Sequence, residues 1–214
     1  MKKTMIIIGM GPGLSFGMAE RFGKAGYQIG MISRNADKLG QYQKLLSKAA
    51  IKSEFETADL SDTSQLLTAL GKLREKLPQI HVLHYNAVDA RMIPLLEESA
   101  ESLSKSFLIG VANALEATKA LLADLQANQG SVLLTGGGTS KYPNAAMGSI
   151  SLSKAGIRSM AFQLHDALKS KGIYVGTLTV SGEVSPDSKT HSPQILAEKF
   201  WDMNQERKSV ELTY

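Results

Sequence analysis

Cysteine is absent from the 214-residue chain. That excludes a disulfide framework, thiolate nucleophiles and cysteine-ligated zinc, and it fits a cytoplasmic protein. Histidine is scarce. His81, His84, His165 and His191 form no H-E-x-x-H pair, so no metal site is expected. No apolar run is long enough to cross a bilayer. There is also no block of one charge sign. The 24 basic residues are scattered among 20 acidic ones for a net charge of +4, which leaves no footprint for nucleic acid or a membrane surface.

The start of the chain invites a misreading. Met1-Lys2-Lys3 followed by apolar residues, ending near Ala19, looks like a signal peptide. However, the apolar run Met5 to Ile8 is broken at once by Gly9, Gly11, Pro12 and Gly13, which suits a strand ending in a tight loop. With 43% hydrophobic and 21% charged residues the composition is that of a globular protein. At about 100–200 residues per domain, one domain over 1–214 is expected.

Met5 to Ile8 is short, apolar and rich in isoleucine, as expected for a strand covered on both faces. Phe16 to Ala25 turns helical and stops at Gly26. Tyr27 to Ser33 reads as a second strand. Asn35 suits the N-cap of a helix through Ala49, and Ile51 to Phe55 reads as a third strand. A leucine-rich helix closed by Pro78 precedes a fourth strand, Ile80 to Tyr85. The spacing from Leu103 through Phe107, Val111 and Leu115 predicts one long helix from about Ser99 to Leu125. Strand Ser131 to Thr135, a helix from about Ser149 to Lys171 and strand Ile173 to Val180 follow. Ser192-Pro193 opens a last helix through about Glu206, and Val210 to Tyr214 suits a final short strand.

Strict alternation of strand and helix predicts an α/β fold: a single Rossmann-type, doubly wound parallel sheet of about seven strands with helices on both faces. Ligands of such sheets sit beyond the carboxyl ends of the strands. The loops at Gly9, Arg34, Asp59, Asn86, Gly136 and Ser181 all fall on that rim.

Gly9-Met10-Gly11-Pro12-Gly13-Leu14-Ser15 joins the first strand to the first helix. Glycine allows close backbone approach and the helix start offers free N–H groups, so a nucleotide diphosphate is the expected guest. The loop also resembles the first motif of S-adenosylmethionine-dependent methyltransferases. Both groups of proteins usually carry an acidic residue after the second strand for the ribose hydroxyls. Here Ser33-Arg34-Asn35 stands in that place. A carboxylate would repel a 2′-phosphate, whereas an arginine pairs with it. The reading is therefore NADP over NAD, and over S-adenosylmethionine.

In order and spacing these motifs resemble the short-chain dehydrogenase/reductase family over essentially the whole chain. Gly9-x-x-x-Gly13-Leu14-Ser15 is similar to its Gly-x-x-x-Gly-Ile-Gly, with Ser15 in place of the last glycine. Arg34 matches the arginine of NADP-preferring members, and Asp59-Leu60 the pair that meets adenine. Asn86-Ala87-Val88 resembles Asn-Ala-Gly, Ser151-Leu152-Ser153-Lys154-Ala155 resembles Ser-Ala-Ser-Lys-Ala, and Ser181-Gly182 stands where the family has Pro-Gly. The resemblance implies a cofactor site at Gly9, Pro12, Gly13, Leu14, Ser33, Arg34, Asp59, Leu60, Asn86, Ala87, Thr135, Lys154, Ser181 and Gly182. It also implies a small-molecule substrate and a homodimer or homotetramer.

The family's catalytic pattern is only partly present. It pairs a proton-donating Tyr with a Lys four residues on, assisted by a Ser at the substrate oxygen and an Asn on the long helix. Lys154 matches, but the Tyr, Ser and Asn places hold Ile150, Gly137 and Phe107. The implied activity is a divergent NADP(H)-dependent oxidoreductase acting on a carbonyl or alcohol. The alternative is an inactive NADP-binding sensor or scaffold. A substitute donor is sought in Tyr142, Ser149 or Ser151. Glu183 to Thr190 is short for a substrate-covering segment and suggests an open site, with the lid and terminal helix at about 183–207.

Overall fold

The structure, a computed structural model, describes residues 2–214. Seven strands form one sheet: β1 (Thr4–Ile8), β2 (Gln28–Ser33), β3 (Ser53–Thr57), β4 (Ile80–Tyr85), β5 (Ser131–Gly137), β6 (Tyr174–Val180) and β7 (Glu211–Thr213). Their order is β3-β2-β1-β4-β5-β6-β7, and every neighbouring pair is parallel. The chain winds outward from β1 to β3, then crosses back to β4 and winds to the other edge. The strand order therefore reverses between β1 and β4, which opens a crevice at their carboxyl ends.

The apolar run Met5 to Ile8 of β1 is explained by its two covered faces. Ile6 and Ile8 pack into one core with Leu66, Leu70 and Leu73 of α3 (Thr63–Lys76) and Ile157 and Leu164 of α7 (Gly148–Leu168). Met5 and Ile7 pack into the opposite core with Met18 and Phe22 of α1 (Leu14–Lys24), Leu39 and Leu46 of α2 (Ala36–Lys48) and Phe200 of α8 (Pro193–Glu206). Two polar caps expected from the sequence are made. Asn35 Oδ1 accepts the Lys38 N–H at 2.9 Å and Ser192 Oγ accepts the Ile195 N–H at 3.3 Å.

Two expectations are corrected. The third strand begins at Ser53 rather than Ile51. Ile51 instead ends α2: its N–H donates to Leu46 O at 2.9 Å, Ala50 turns left-handed at φ 58°, and the side chain packs on Gly23 of α1. The predicted long helix is also interrupted. It runs as α4 (Ala100–Phe107), a π-helical turn (Leu108–Ala112), α5 (Asn113–Ala120) and α6 (Leu122–Ala127). Gly110 lies against Ser153 of α7, where an added β-carbon would stand 3.0 Å from Ser153 Cβ, and the Tyr85 hydroxyl donates to the Ile109 carbonyl inside the wide turn. Hydrophobic spacing continues unbroken through this segment, so periodicity alone does not reveal it.

Candidate functional site

The crevice begins with a lock between two loops. Gly9 has φ +86°, and a β-carbon there would meet Ala87 N at 2.5 Å, so only glycine allows the β1–α1 loop to touch the loop after β4. Ser15 Oγ donates to Gly9 O at 2.8 Å, and Asn86 Nδ2 donates to Ser15 Oγ at 2.7 Å. Ser15, in the family's last glycine place, is thus a buried tie between the two loops. The Asn86 amide is engaged by the same tie.

Beyond this lock the loop faces open space. Added β-carbons on Gly11 and Gly13 would meet nothing within 4 Å. Gly13 is the N-cap of α1 and no side chain caps it. Uncapped helix N–H groups beside open backbone at Gly11 and Gly13 suit an anion. These residues therefore fit a dinucleotide diphosphate.

One compartment, of about 310 Å³, is lined by Gly9, Ser33, Arg34, Asp59, Leu60 and Ala87 among others. Asp59 is anchored by the Ser61 N–H at 2.9 Å. Hydrogen bonds from Ser61, with smaller contributions from the charges of Arg34 and Lys105, hold its carboxyl below the usual carboxylate range. The Leu60 carbonyl accepts from Asn113 Nδ2 at 2.7 Å, which fixes the strip between Asp59 and α5. A second cavity of about 590 Å³ adjoins, shared by Arg34, Asp59 and Lys105. Lys105 escaped the sequence reading because helix-surface lysines are common and no local motif marks this one.

The other compartment, of about 500 Å³, is lined by Pro12, Gly13, Leu14, Thr135, Ile150 and Lys154, with the Gly136 to Thr139 loop, Gly182 and Val184. Ser181 is exposed beside it and abuts Gly138. Lys154 Nζ donates to Thr135 O at 2.8 Å, and burial lowers its pKa from 10.5 to about 8. Thr135 Oγ1 lies 3.0 Å from Nε2 of the buried His84. Burial, and then the Lys154 charge, push the His84 pKa down to about 3, so that imidazole is neutral. His84, Thr135 and Lys154 therefore form a polar column under the crevice floor. No local cue marks it, since His84 interrupts an apolar strand without any motif.

The structure brings Gly137, Ile150 and Lys154 together in this compartment. It does not bring Phe107 there. Phe107 is 47% exposed and lines an apolar groove of about 640 Å³ with Leu103, Leu152 and Gly156. None of the proposed substitute donors lines the compartment. Tyr142 is 80% exposed, Ser149 is buried next to Glu98, and Ser151 Oγ exchanges hydrogen bonds with Asn144 N and O at 3.1 and 3.2 Å. The lining holds another hydroxyl, Thr139, which follows the triple glycine. No cluster of three or more potential metal ligands occurs among the described residues, and none of their helices is long and apolar enough to cross a membrane.

The family model of the short chain dehydrogenases matches residues 3–193. An L-2,3-butanediol dehydrogenase of Corynebacterium glutamicum is 27% identical over 113 residues, 52% of this chain and 44% of that protein. An (S)-acetoin-forming diacetyl reductase of Staphylococcus epidermidis is 27% identical over 177 residues, 82% of this chain and 69% of that one. The chain thus spans less than half of the first relative's length and just over two thirds of the second's. Among solved structures, an alcohol dehydrogenase from the archaeon Thermococcus sibiricus, complexed with 5-hydroxy-NADP, superposes with a TM-score of 0.87. It is 17% identical and the match covers 99% of this chain and 95% of that one.

Proposed function

We propose that this chain, which belongs to the short chain dehydrogenase family, is an NADP(H)-dependent oxidoreductase acting on a small carbonyl or alcohol. The observation that carries this reading is Arg34. A guanidinium, with no carboxylate beside it on the same loop, ends β2 at the rim of a crevice that Gly11 and Gly13 leave open. It suits a 2′-phosphate and disfavours S-adenosylmethionine and NAD. The structural neighbour from Thermococcus sibiricus, complexed with 5-hydroxy-NADP, is in keeping with the same choice.

In this reading Gly9, Pro12, Gly13 and Leu14 hold the diphosphate at the start of α1. Ser33 and Arg34 take the 2′-phosphate, Asp59 and Leu60 meet adenine, and Asn86 and Ala87 wall the ribose. Thr135, Lys154, Ser181 and Gly182 surround the nicotinamide end. The cofactor supplies the hydride. The apolar groove around Phe107 and Leu152 offers a face for a homodimer or homotetramer, and a cysteine-free chain suits the cytoplasm.

The test is NADPH oxidation against a panel of carbonyl compounds, run beside calorimetric titration of NADPH. Turnover that disappears in Lys154→Ala supports an enzyme. Tight NADPH binding with no turnover on any carbonyl supports instead the sensor or scaffold reading, which the trio Ile150, Gly137 and Phe107 favours. No affinity for NADPH contradicts both.

A further inference from the structure

A carbonyl that accepts a hydride needs a proton at its oxygen, and a positioned acid there is worth roughly 10²–10⁴-fold. The compartment around Ile150 and Gly137 is short of acids. The Asn86 amide and the Ser15 hydroxyl are held in the loop lock, and the Thr135 hydroxyl lies against the neutral His84. The Thr139 hydroxyl is an alcohol, about as weak an acid as water (pKa ~16). Among the described residues that line the compartment, Lys154 alone has an ionisable side chain. Its place is set by its neighbours. Ile150 stands one helical turn earlier on the same face of α7, so an apolar wall flanks the lysine where a tyrosine would interpose a phenol. The bare backbone of Gly137 lets the lysine stem lie close to β5, with Cδ 3.3 Å from where a β-carbon would stand. The tip reaches Thr135 O at 2.8 Å, a bond that uses one of the three N–H donors of an ammonium.

We propose that Lys154 is itself the proton donor of this crevice, its ammonium handing a proton directly to the oxygen of the carbonyl being reduced. The proposal rests on the dinucleotide reading given above and adds the donor that Tyr142, Ser149 and Ser151 do not supply. A C–H bond of the reduced nicotinamide breaks, and its hydrogen and electron pair form a new C–H bond at the carbonyl carbon. The C=O π pair moves to the oxygen, which forms an O–H bond with a proton from Nζ. Nζ keeps the N–H electron pair as a neutral amine and takes its next proton from water, so carbonyl, hydride and proton balance as alcohol. Burial strengthens this acid. With a pKa of about 8, Lys154 is still largely charged at neutral pH yet releases its proton far more readily than an ordinary lysine. Neighbouring ionisable groups are otherwise occupied. His84, beneath the floor on β4, is neutral. Arg158 on α7 and Lys141 after β5 are bound to Glu211 at 2.8 and 3.3 Å, and Glu183, between Gly182 and Val184, is exposed to solvent. Lys154 is expected to contribute about 10²-fold, the low end for a positioned acid, because Thr135 O holds one N–H and residue 137 brings no hydroxyl to align the substrate oxygen.

The experiment uses the full chain, with NADPH affinity measured first by calorimetry. One readout needs no turnover. Trace acetylation with acetic anhydride from about pH 6 to 11, followed by mass spectrometry of the Lys154 peptide, should show this amine titrating near 8 rather than 10.5. The second readout is kcat at saturating NADPH for the carbonyl of the panel that turns over fastest. It should be level below pH ~7 and fall about tenfold per unit above pH ~8, as the donor loses its proton. The third is Lys154→Arg, which keeps the charge but does not release a proton. It should bind NADPH within about threefold of the parent and lose about 10²-fold in kcat, whereas a lysine that only holds the cofactor would be rescued by arginine. A Lys154 amine titrating near 10.5, a kcat level through pH 8 to 10, or turnover by Lys154→Arg close to the parent's overturns the proposal and leaves the dinucleotide reading standing. NADPH binding with no turnover of any carbonyl does the same. Absence of NADPH binding overturns both.

Discussion

Lys154 lies along the bare face of Gly137, with its Cγ, Cδ and Cε atoms 3.2, 3.3 and 3.4 Å from where a β-carbon of residue 137 would stand. A serine at that place would press on the lysine stem by a few tenths of an ångström, which a flexible side chain can absorb. Glycine here and isoleucine one helical turn before Lys154 leave an ammonium as the chief polar group of the compartment.

Rebuilding the missing relay should therefore change the chemistry more than the binding. The double variant Gly137→Ser with Ile150→Tyr is expected to raise kcat/KM for a simple ketone by roughly 10²-fold, toward the usual value of a positioned acid. NADPH affinity should stay within about threefold, since neither side chain meets the diphosphate or the 2′-phosphate. Steady-state kinetics with 1-tetralone and calorimetry with NADPH check the two halves.

Two glycines of the first loop should respond in opposite ways. Gly9→Ala forces a β-carbon to 2.5 Å from Ala87 N at φ +86°, so about 2–5 kcal/mol of stability is lost to strain and overpacking. Gly11→Ala meets nothing within 4 Å, so its urea midpoint should stay near that of the parent. Its added methyl instead fills the space assigned to the diphosphate, and NADPH affinity is expected to fall by at least about tenfold. Urea unfolding followed by NADPH titration separates the two effects.

The Lys154 ammonium carries a stability cost that depends on pH. Its folded pKa of about 8 lies below the ordinary 10.5, so the folded state binds the proton less readily than the unfolded one. The cost is full below pH ~8 and fades as pH rises through 8 toward 10.5. Lys154→Met should thus unfold at higher temperature than the parent at pH 7. The gain is roughly 1–2 kcal/mol after allowing for solvent in the crevice and the lost bond to Thr135 O, and it shrinks toward pH 10. Melting curves across that range give the answer. A constant difference would mean that the lysine charge is not the cause.

His84 gives the acid-side counterpart. It is held neutral, with a folded pKa near 3 against an ordinary 6.5. Protonation favours the unfolded chain, so stability falls as pH drops from about 6.5 toward 3. His84→Leu should flatten that fall, read from urea midpoints at pH 7 and pH 5, while giving up the contact with Thr135.

Most of the architecture was readable in the chain because each cue is local. The apolar run of β1 from Met5 to Ile8, the cap residues Asn35 and Ser192, and the glycine loop each follow from nearby residues. The failures are tertiary. Ile51 has the composition of a strand residue, yet packing on Gly23 draws it into the end of α2. The π-helical turn at Leu108 to Ala112 depends on Ser153 and Tyr85, which lie far away in sequence. At the site, the motifs located the crevice and its glycines, and Gly137, Ile150 and Lys154 do converge. Phe107 sits at matched spacing but lines an outer groove. The Ser15–Asn86 tie, the His84–Thr135–Lys154 column and Thr139 all needed three-dimensional neighbours to be seen.

The most direct measurement is calorimetric titration of the chain and of Arg34→Asp with NADPH and NADH. NADPH is expected to bind the parent at least about tenfold tighter than NADH, as a charge-assisted pair at the 2′-phosphate requires, and Arg34→Asp should erase that preference with little effect on NADH. Equal affinity for the two coenzymes in the parent, or no binding of either, would contradict the assignment.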